Sequence, residues 1–312
     1  MTRTPAHNVY LGLVVVVLGS AACSQPTGDP GEWIPWDSIQ GELAPEVGPP
    51  PAQGLTRAGS PGPLRIVTYN VHGGRAVNAL ARAFHDDDAL ARADVILLQE
   101  VESHPEEGRS RAARLAASLG MGYVYAPERR EGSGTHGLAI LSPFPLENAQ
   151  VKELPFVDLP LAGNRRIALA ANVRVGDQVV HVIDLHLDTR LNITDRIVQL
   201  RPAVIDARRD CVVAGDFNTN PYLWAEGALP IAPLETVVDT DQAPLIDEYM
   251  LLLGFTAPTA DFGTTQHLEF IESRLDAIYP RGHTAVGGQV ERDIGLSDHW
   301  PIWLDLDVGV VP

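Results

Sequence analysis

From Leu64 to Leu306 the chain alternates short apolar runs with amphipathic stretches, and the change of period marks its elements. Leu64-Arg65-Ile66-Val67-Thr68-Tyr69-Asn70 alternates like a strand and runs into Val71-His72-Gly73-Gly74, whose glycines permit a tight turn. Ala76 to Arg92 reads as a helix with an acidic loop at Asp86-Asp87-Asp88, a cluster explained by a solvated turn. Asp94 to Glu100 is a nearly continuous apolar strand that ends in a carboxylate, and Glu106 to Leu119 is an amphipathic helix. Strands follow at Tyr123–Tyr125, Gly137–Ser142, Arg166–Val175 and Gln178–Leu187, with Gly176-Asp177 as a hairpin turn between the last two. Consecutive strands of this kind predict antiparallel pairing. A helix from Asn192 to Arg209, the strand opening at Cys211, a helix from Leu245 to Leu253, and strands at Arg274–Tyr279 and Trp300–Leu306 complete the pattern.

Upstream the pattern changes character. Arg3 precedes an apolar run from Val9 to Leu18 and then Gly19-Ser20-Ala21-Ala22-Cys23, the layout of a secretory signal too short to span a bilayer. Small residues before Cys23 resemble a lipobox, although Ser20 stands where such motifs usually carry Leu. The expectation is an exported protein, periplasmic or at the cell surface, with residues 1–23 as signal and Cys23 as lipid anchor to the membrane. Ordinary cleavage near Ala21 or Ala22 is the alternative. Residues 24–63, crowded with Pro and Gly, read as a linker, except that Glu32-Trp33-Ile34-Pro35-Trp36 offers aromatics for docking. One domain of residues 64–312 remains, long enough for an ample core and expected as a monomer.

Charge and cysteine content narrow the function. A net charge of −17 repels phosphate backbones and anionic lipid unless a basic patch or bound cation reverses the field, which disfavours non-specific nucleic-acid binding and suits a site that uses a cation. Two cysteines give no disulfide framework and no zinc spacing. The most informative stretch is Cys211-Val212-Val213-Ala214-Gly215-Asp216-Phe217-Asn218. Residues two apart on a strand share a face, so Asp216 and Asn218 can converge on a water or metal while Phe217 returns to the core. An Asx turn after a strand would explain the same residues, and His186, read alone, is explained by a satisfied histidine at the rim.

Taken in order, Thr68-Tyr69-Asn70-Val71-His72, Leu98-Gln99-Glu100, Gly137 to Ser142, His186-Leu187, Gly215-Asp216-Phe217-Asn218, Arg274-Leu275-Asp276 and Ser297-Asp298-His299 resemble the endonuclease/exonuclease/phosphatase superfamily. That group includes pancreatic-type deoxyribonucleases, apurinic endonucleases, sphingomyelinases and inositol-polyphosphate phosphatases. The resemblance implies an α/β fold, a four-layer sandwich of two mainly antiparallel sheets packed face to face between helical layers. It implies a metal site of Asn70 and Glu100 with Asp298 nearby, Asp216 acting on the attacking water, and Asn218 orienting water and phosphate. It also implies a phosphate contact from His186 and a hydrogen-bonded His299–Asp276 pair. His72 replaces an acid found in some family nucleases, and Pro143 replaces a common basic residue.

Such a site hydrolyses phosphodiesters with a hard cation, Mg²⁺ or Mn²⁺. The expected substrate is a lipid head group or small phosphodiester of the cell envelope. A secreted endonuclease, using Arg75, Arg129, Arg130, Arg165 and Arg166, is the alternative, and a non-catalytic tethered binding module is the second.

Overall fold

The apolar runs form strands because each can bury one or both faces against another layer. The computed structural model describes residues 31–51, 62–159, 163–225, 227–231, 242–268 and 271–308. In chain order, β1 (Ile34–Pro35), β2 (Glu46–Gly48) and β3 (Leu64–Gly73) precede α1 (Val77–Asp86), β4 (Val95–Ser103) and α2 (Arg111–Leu119). Strands β5 (Gly122–Glu131), β6 (Gly134–Ser142), β7 (Leu146–Glu153), β8 (Ile167–Val175) and β9 (Gln178–His186) lead to α3 (Ile193–Val204) and β10 (Cys211–Asp216). A small hairpin of β11 (Leu223–Ala225) and β12 (Leu229–Ile231) precedes α4 (Gln242–Leu252). The chain ends with β13 (Gln266–Leu268), β14 (Ile271–Ser273), β15 (Asp276–Arg281), β16 (Thr284–Val290) and β17 (Ile302–Asp307).

Two large sheets result, one ordered β1-β7-β8-β9-β10-β15 and the other β16-β17-β3-β4-β6-β5-β2. Most neighbours are antiparallel; β3–β4 and β9–β10 are parallel. Three apolar cores define four layers. Ile66, Leu97, Ile140, Leu169, Val182 and Val212 fill the space between the sheets. Helices α1 and α2 cover the outer face of one sheet through Leu80, Phe84 and Leu115. Helices α3 and α4 cover the other through Leu200, Val204, Ile246 and Met250. The four-layer sandwich expected from the motifs is therefore the fold. Hairpin β8–β9 turns at Gly176-Asp177, with Val175 opposite Gln178, as the sequence predicts.

The linker expectation needs correction over residues 31–51. Strand β1 extends one sheet beside β7, and β2 extends the other beside β5. Specific contacts overcome the Pro/Gly-rich composition: Glu46 accepts from Tyr123 Oη at 2.7 Å and from the Ser110 amide at 3.2 Å. Lys152 lies 5.3 Å from the Trp33 ring centroid, so the aromatic segment does dock. Pro35 is tolerated because β1 is an edge strand. Strands β7 and β16 have no counterpart in the sequence reading. Helix α2 begins later than expected, at Arg111, where Ser110 Oγ accepts the Ala113 amide as N-cap. Residues 1–30, and with them the signal and Cys23, lie outside the described residues. Among the described residues, no helix is long and apolar enough to cross a membrane.

One buried cation fixes the loops that leave β9 and β10. Arg196 on α3 is fully buried and donates to the carbonyls of Asp188, Leu191 and Phe217 and to Gln242 Oε1, at 2.7–2.8 Å. Replacing it by Met leaves several carbonyls without a donor. Arg196→Met should lose at least about 2 kcal/mol of stability in denaturant unfolding; a loss within error would show that the loops are held by other contacts.

Candidate active site

Strand register brings the chemistry to one end of the sandwich. Asp216, last in β10, lies opposite Asp276 on β15 and beside His186 on β9. On the other sheet, the β3–β4 ladder shifts between Asn70 and Gly73, and the β4–β6 ladder shifts between Leu98 and Val101. These bulges turn side chains out of the alternating pattern. His72, Glu100 and Asn218 adopt left-handed backbone with φ of 46°, 58° and 52°. A non-glycine residue there costs on the order of 1 kcal/mol, strain that recurs where a site demands a direction.

Asn70 joins the two sheets. Its Nδ2 donates to Glu100 Oε1 at 3.2 Å and to Asp216 Oδ2 at 3.0 Å, while its Oδ1 accepts the His72 amide. Asp216 Oδ2 also faces His186 Nε2 at 3.5 Å and His299 Nε2 at 3.8 Å, and Asp216 Oδ1 accepts the Asn218 amide at 2.8 Å. The Asn218 side chain donates to the Leu187 carbonyl, tying the β10 turn to the end of β9. His299 Nδ1 donates to Asp276 Oδ2 at 2.8 Å, and Thr265 Oγ1 donates to the same oxygen at 2.7 Å. The predicted His299–Asp276 pair is present in the geometry. Asp298 sits at the outer rim, 3.4 Å from His72 Nδ1, which is itself 3.9 Å from Glu100 Oε2. All eight candidate residues thus meet at one mouth.

Environment separates the two histidines. Burial, with the Arg166 charge beside it, holds His186 well below the usual histidine range. Arg166 Nη1 donates to His186 Nδ1 at 2.9 Å, which requires that nitrogen to be an acceptor and leaves Nε2–H facing Asp216. His186 is therefore a neutral donor. His299 is the opposite case. Burial would lower it, but Asp276 and Asp216 raise it to about 10. Burial pushes the Asp216 carboxyl upward, His299 opposes this, and Asp276 adds to it. Burial likewise works against ionised Glu100, yet the His136 imidazole beside it and the Asn70 amide hold it below the ordinary carboxylate range.

Asp216, Asp276 and His299 lie close enough to ligate a cation together. Asp276 Oδ2, however, is already held by His299 Nδ1 and Thr265 Oγ1. Glu100 and Asp298 suit a cation better: each side chain is 28% exposed, both face His72, and together they offer hard oxygen donors. Three site residues escaped the sequence reading. His136 lies 3.9 Å from Glu100, one residue before the strand motif Gly137–Ser142, and Thr265 lies in a polar loop without a motif. Arg166 was read only as a possible nucleic-acid contact, yet it is buried against His186, Asp188 and Glu128.

Because its folded pKa of about 10 exceeds its reference of 6.5, His299 contributes stability in full below pH 6.5 and loses it as pH rises through 10. Asp276→Asn should lower the His299 pKa in an NMR titration and narrow that window. An unchanged pKa would dissolve the pair.

The Endonuclease/Exonuclease/phosphatase family pattern matches residues 67–299. No curated protein gives a sequence match. Among solved structures, an endonuclease/exonuclease/phosphatase from Beutenbergia cavernae DSM 12333 is similar at TM-score 0.62 and 21% identity, over 80% of this chain and 73% of that one. An AP endonuclease from Archaeoglobus fulgidus is similar at TM-score 0.55 and 17% identity, over 78% of this chain and 100% of that one. The 2′,3′-cyclic phosphatase ANGEL2, in complex with adenosine-2′,3′-vanadate, is similar at TM-score 0.53 and 14% identity, over 78% of this chain and 95% of that one. These likenesses show the sandwich fold, and the family match over residues 67–299 shows that the chain belongs to the Endonuclease/Exonuclease/phosphatase family.

Proposed function

We propose that the protein is a divalent-cation-dependent phosphodiesterase that hydrolyses its substrate in one step by water attack, with lipid head groups or small phosphodiesters of the cell envelope as substrates. The observation that carries this reading is the buried Asp216 carboxylate, held within 3.0 Å of Asn70, 3.5 Å of His186 and 3.8 Å of His299 at the open end of the sandwich. A bound Mg²⁺ or Mn²⁺, held by Glu100 with Asp298 while the Asn70 amide orients Glu100 rather than ligating as the family resemblance implies, would supply charge neutralisation on the phosphoryl oxygens. Asp216, made more basic by burial, accepts a proton from the attacking water as its oxygen bonds to phosphorus. His299, kept as imidazolium by Asp276, and His186, a neutral Nε2–H donor, hydrogen-bond the phosphoryl oxygens as negative charge builds. Asn218, fixed by the Leu187 carbonyl and the Asp216 carboxylate, keeps water and phosphate aligned. The bond to the leaving oxygen breaks as the new bond forms, and the departing alkoxide takes a proton from His299 or solvent.

Charge supports an envelope substrate over a nucleic acid. Of the arginines that would grip a polynucleotide, Arg166 is buried against Asp188 and His186, Arg165 binds Glu153 and the Glu128 carbonyl, and Arg130 pairs with Glu42. Arg129 is turned onto His136. Arg75 stays exposed, and a net charge of −17 opposes a phosphate backbone there.

Purified protein should cleave a chromogenic phosphodiester with Mg²⁺ or Mn²⁺, lose activity to chelator, and regain it on adding the ion. Asp216→Ala should lower kcat by about a thousandfold, and Glu100→Gln should raise the metal concentration needed without unfolding the protein. Near-full turnover by Asp216→Ala, or full activity after exhaustive chelation, would refute the mechanism. Cleavage of DNA or RNA alone would replace the substrate assignment with the endonuclease reading.

A further inference from the structure

The chain leaves β3 at the mouth through a histidine in left-handed backbone. His72 holds φ at 46° where the β3–β4 ladder shifts its register, a conformation that glycine adopts freely and a residue with a side chain resists. Asn70 Oδ1 accepts the His72 amide at 3.1 Å and fixes the turn. Packing does not explain the placement, since the His72 side chain is 72% exposed. The turn instead sets one ring nitrogen between two carboxylates: Nδ1 lies 3.4 Å from Asp298 Oδ1 and 3.9 Å from Glu100 Oε2.

The other oxygen of each carboxylate is already engaged. Asn70 Nδ2 donates to Glu100 Oε1 at 3.2 Å, and Gln266 Nε2 donates to Asp298 Oδ2 at 3.3 Å. Ser297 Oγ donates to Asp298 Oδ1 at 3.2 Å, and a carboxylate oxygen keeps a second lone pair. Glu100 Oε2 and Asp298 Oδ1 thus converge on His72 Nδ1 from β4 and from the segment before β17. Two carboxylates balance the charge of a divalent ion, and a neutral imidazole adds a nitrogen donor without adding charge. Mg²⁺ takes oxygen ligands and gives up its waters reluctantly, whereas first-row transition ions gain from a nitrogen. A set of two oxygens and one nitrogen therefore separates Mn²⁺ from Mg²⁺.

We propose that His72 Nδ1 is a third ligand of the cation held by Glu100 and Asp298, and that it makes the site select Mn²⁺ over Mg²⁺. The inference rests on the cation-dependent phosphodiesterase reading and names its ion. Two other imidazoles lie 3.9 Å from Glu100. His186 Nε2 carries its proton and cannot ligate, which leaves His136 Nε2 as the rival nitrogen.

The test titrates Mn²⁺ and Mg²⁺ separately into metal-free wild type, His72→Gly and His72→Asp by calorimetry, and measures the Mn²⁺-loaded proteins by electron spin echo envelope modulation. Glycine removes the ring without straining the backbone, and aspartate replaces the nitrogen with oxygen. Wild type should bind Mn²⁺ the more tightly and show modulation from a directly bound imidazole nitrogen. Both variants should lose that modulation, and the ratio of Mg²⁺ to Mn²⁺ dissociation constants should fall by at least about tenfold. Modulation that survives in His72→Gly belongs to His136 and overturns the proposal. A wild type that prefers Mg²⁺ or shows no nitrogen modulation, or a ratio unchanged in both variants, overturns it equally. Failure of wild type to bind either ion overturns the proposal and the cation-dependent reading together. Mn²⁺ binding with the nitrogen signal, but without hydrolysis of a chromogenic phosphodiester, rejects the phosphodiesterase reading and leaves the ligand assignment standing.

Discussion

The structure at its open end depends on burying the Asp216 carboxylate, which is 1% exposed, without leaving it unpaired. An isolated buried charge is costly enough that the group would protonate or the site would open. Asn70 from one sheet, Asn218 from its own turn, and the imidazoles of His186 and His299 supply its surroundings. Since Asn70 lies on β3 and Asp216 on β10, their bond is also a clasp between the sheets. Weakening the polar set should therefore loosen the mouth as well as its chemistry. That coupling explains why strained backbone at His72, Glu100 and Asn218 is tolerated in the same few ångströms.

Two histidines of one residue type acquire different roles from their neighbours. Arg166 enforces a neutral His186 by burial beside a fixed positive charge, whereas Asp276 stabilises a cationic His299. Separating protonation states in this way lets one site offer a neutral donor, a charged donor and a basic carboxylate at the same pH. Arg196 plays no such part. It holds the loops after β9 and β10 by filling carbonyls, so its burial is structural.

Much of this was legible in the sequence because strand ends were marked by polar residues after apolar runs. Asp216 with Asn218, Glu100 and His186 close apolar runs and could be read that way, whereas Asp276 opens β15 and His299 precedes β17, and both were implied by the family resemblance, which rested on the order of the whole set. Other features depended on contacts distant in sequence. Strands β1 and β2 sit in a Pro/Gly-rich segment whose composition argued for a tether, and only Tyr123, Ser110 and Lys152, far along the chain, hold it down. Strand β7 carries Glu147, Gln150 and Lys152 at an exposed-looking spacing, so its pairing with β8 was invisible locally. The protonation state of His186 was not legible, because the sequence cannot show which nitrogen meets Arg166. Thr265 had no periodic context, although its hydroxyl organises Asp276 through one donated and two accepted hydrogen bonds.

We propose that His299 and Asp276, hydrogen-bonded at 2.8 Å, act as one unit on the same phosphoryl group that Asp216 serves. A double-mutant cycle on turnover of a soluble phosphodiester tests it most directly. Asp276→Asn and His299→Ala should each lower kcat by roughly two to four orders of magnitude, and the double variant should be little worse than the poorer single one. Losses that multiply in the double variant would show that the two side chains act independently, and the account of the site would fail.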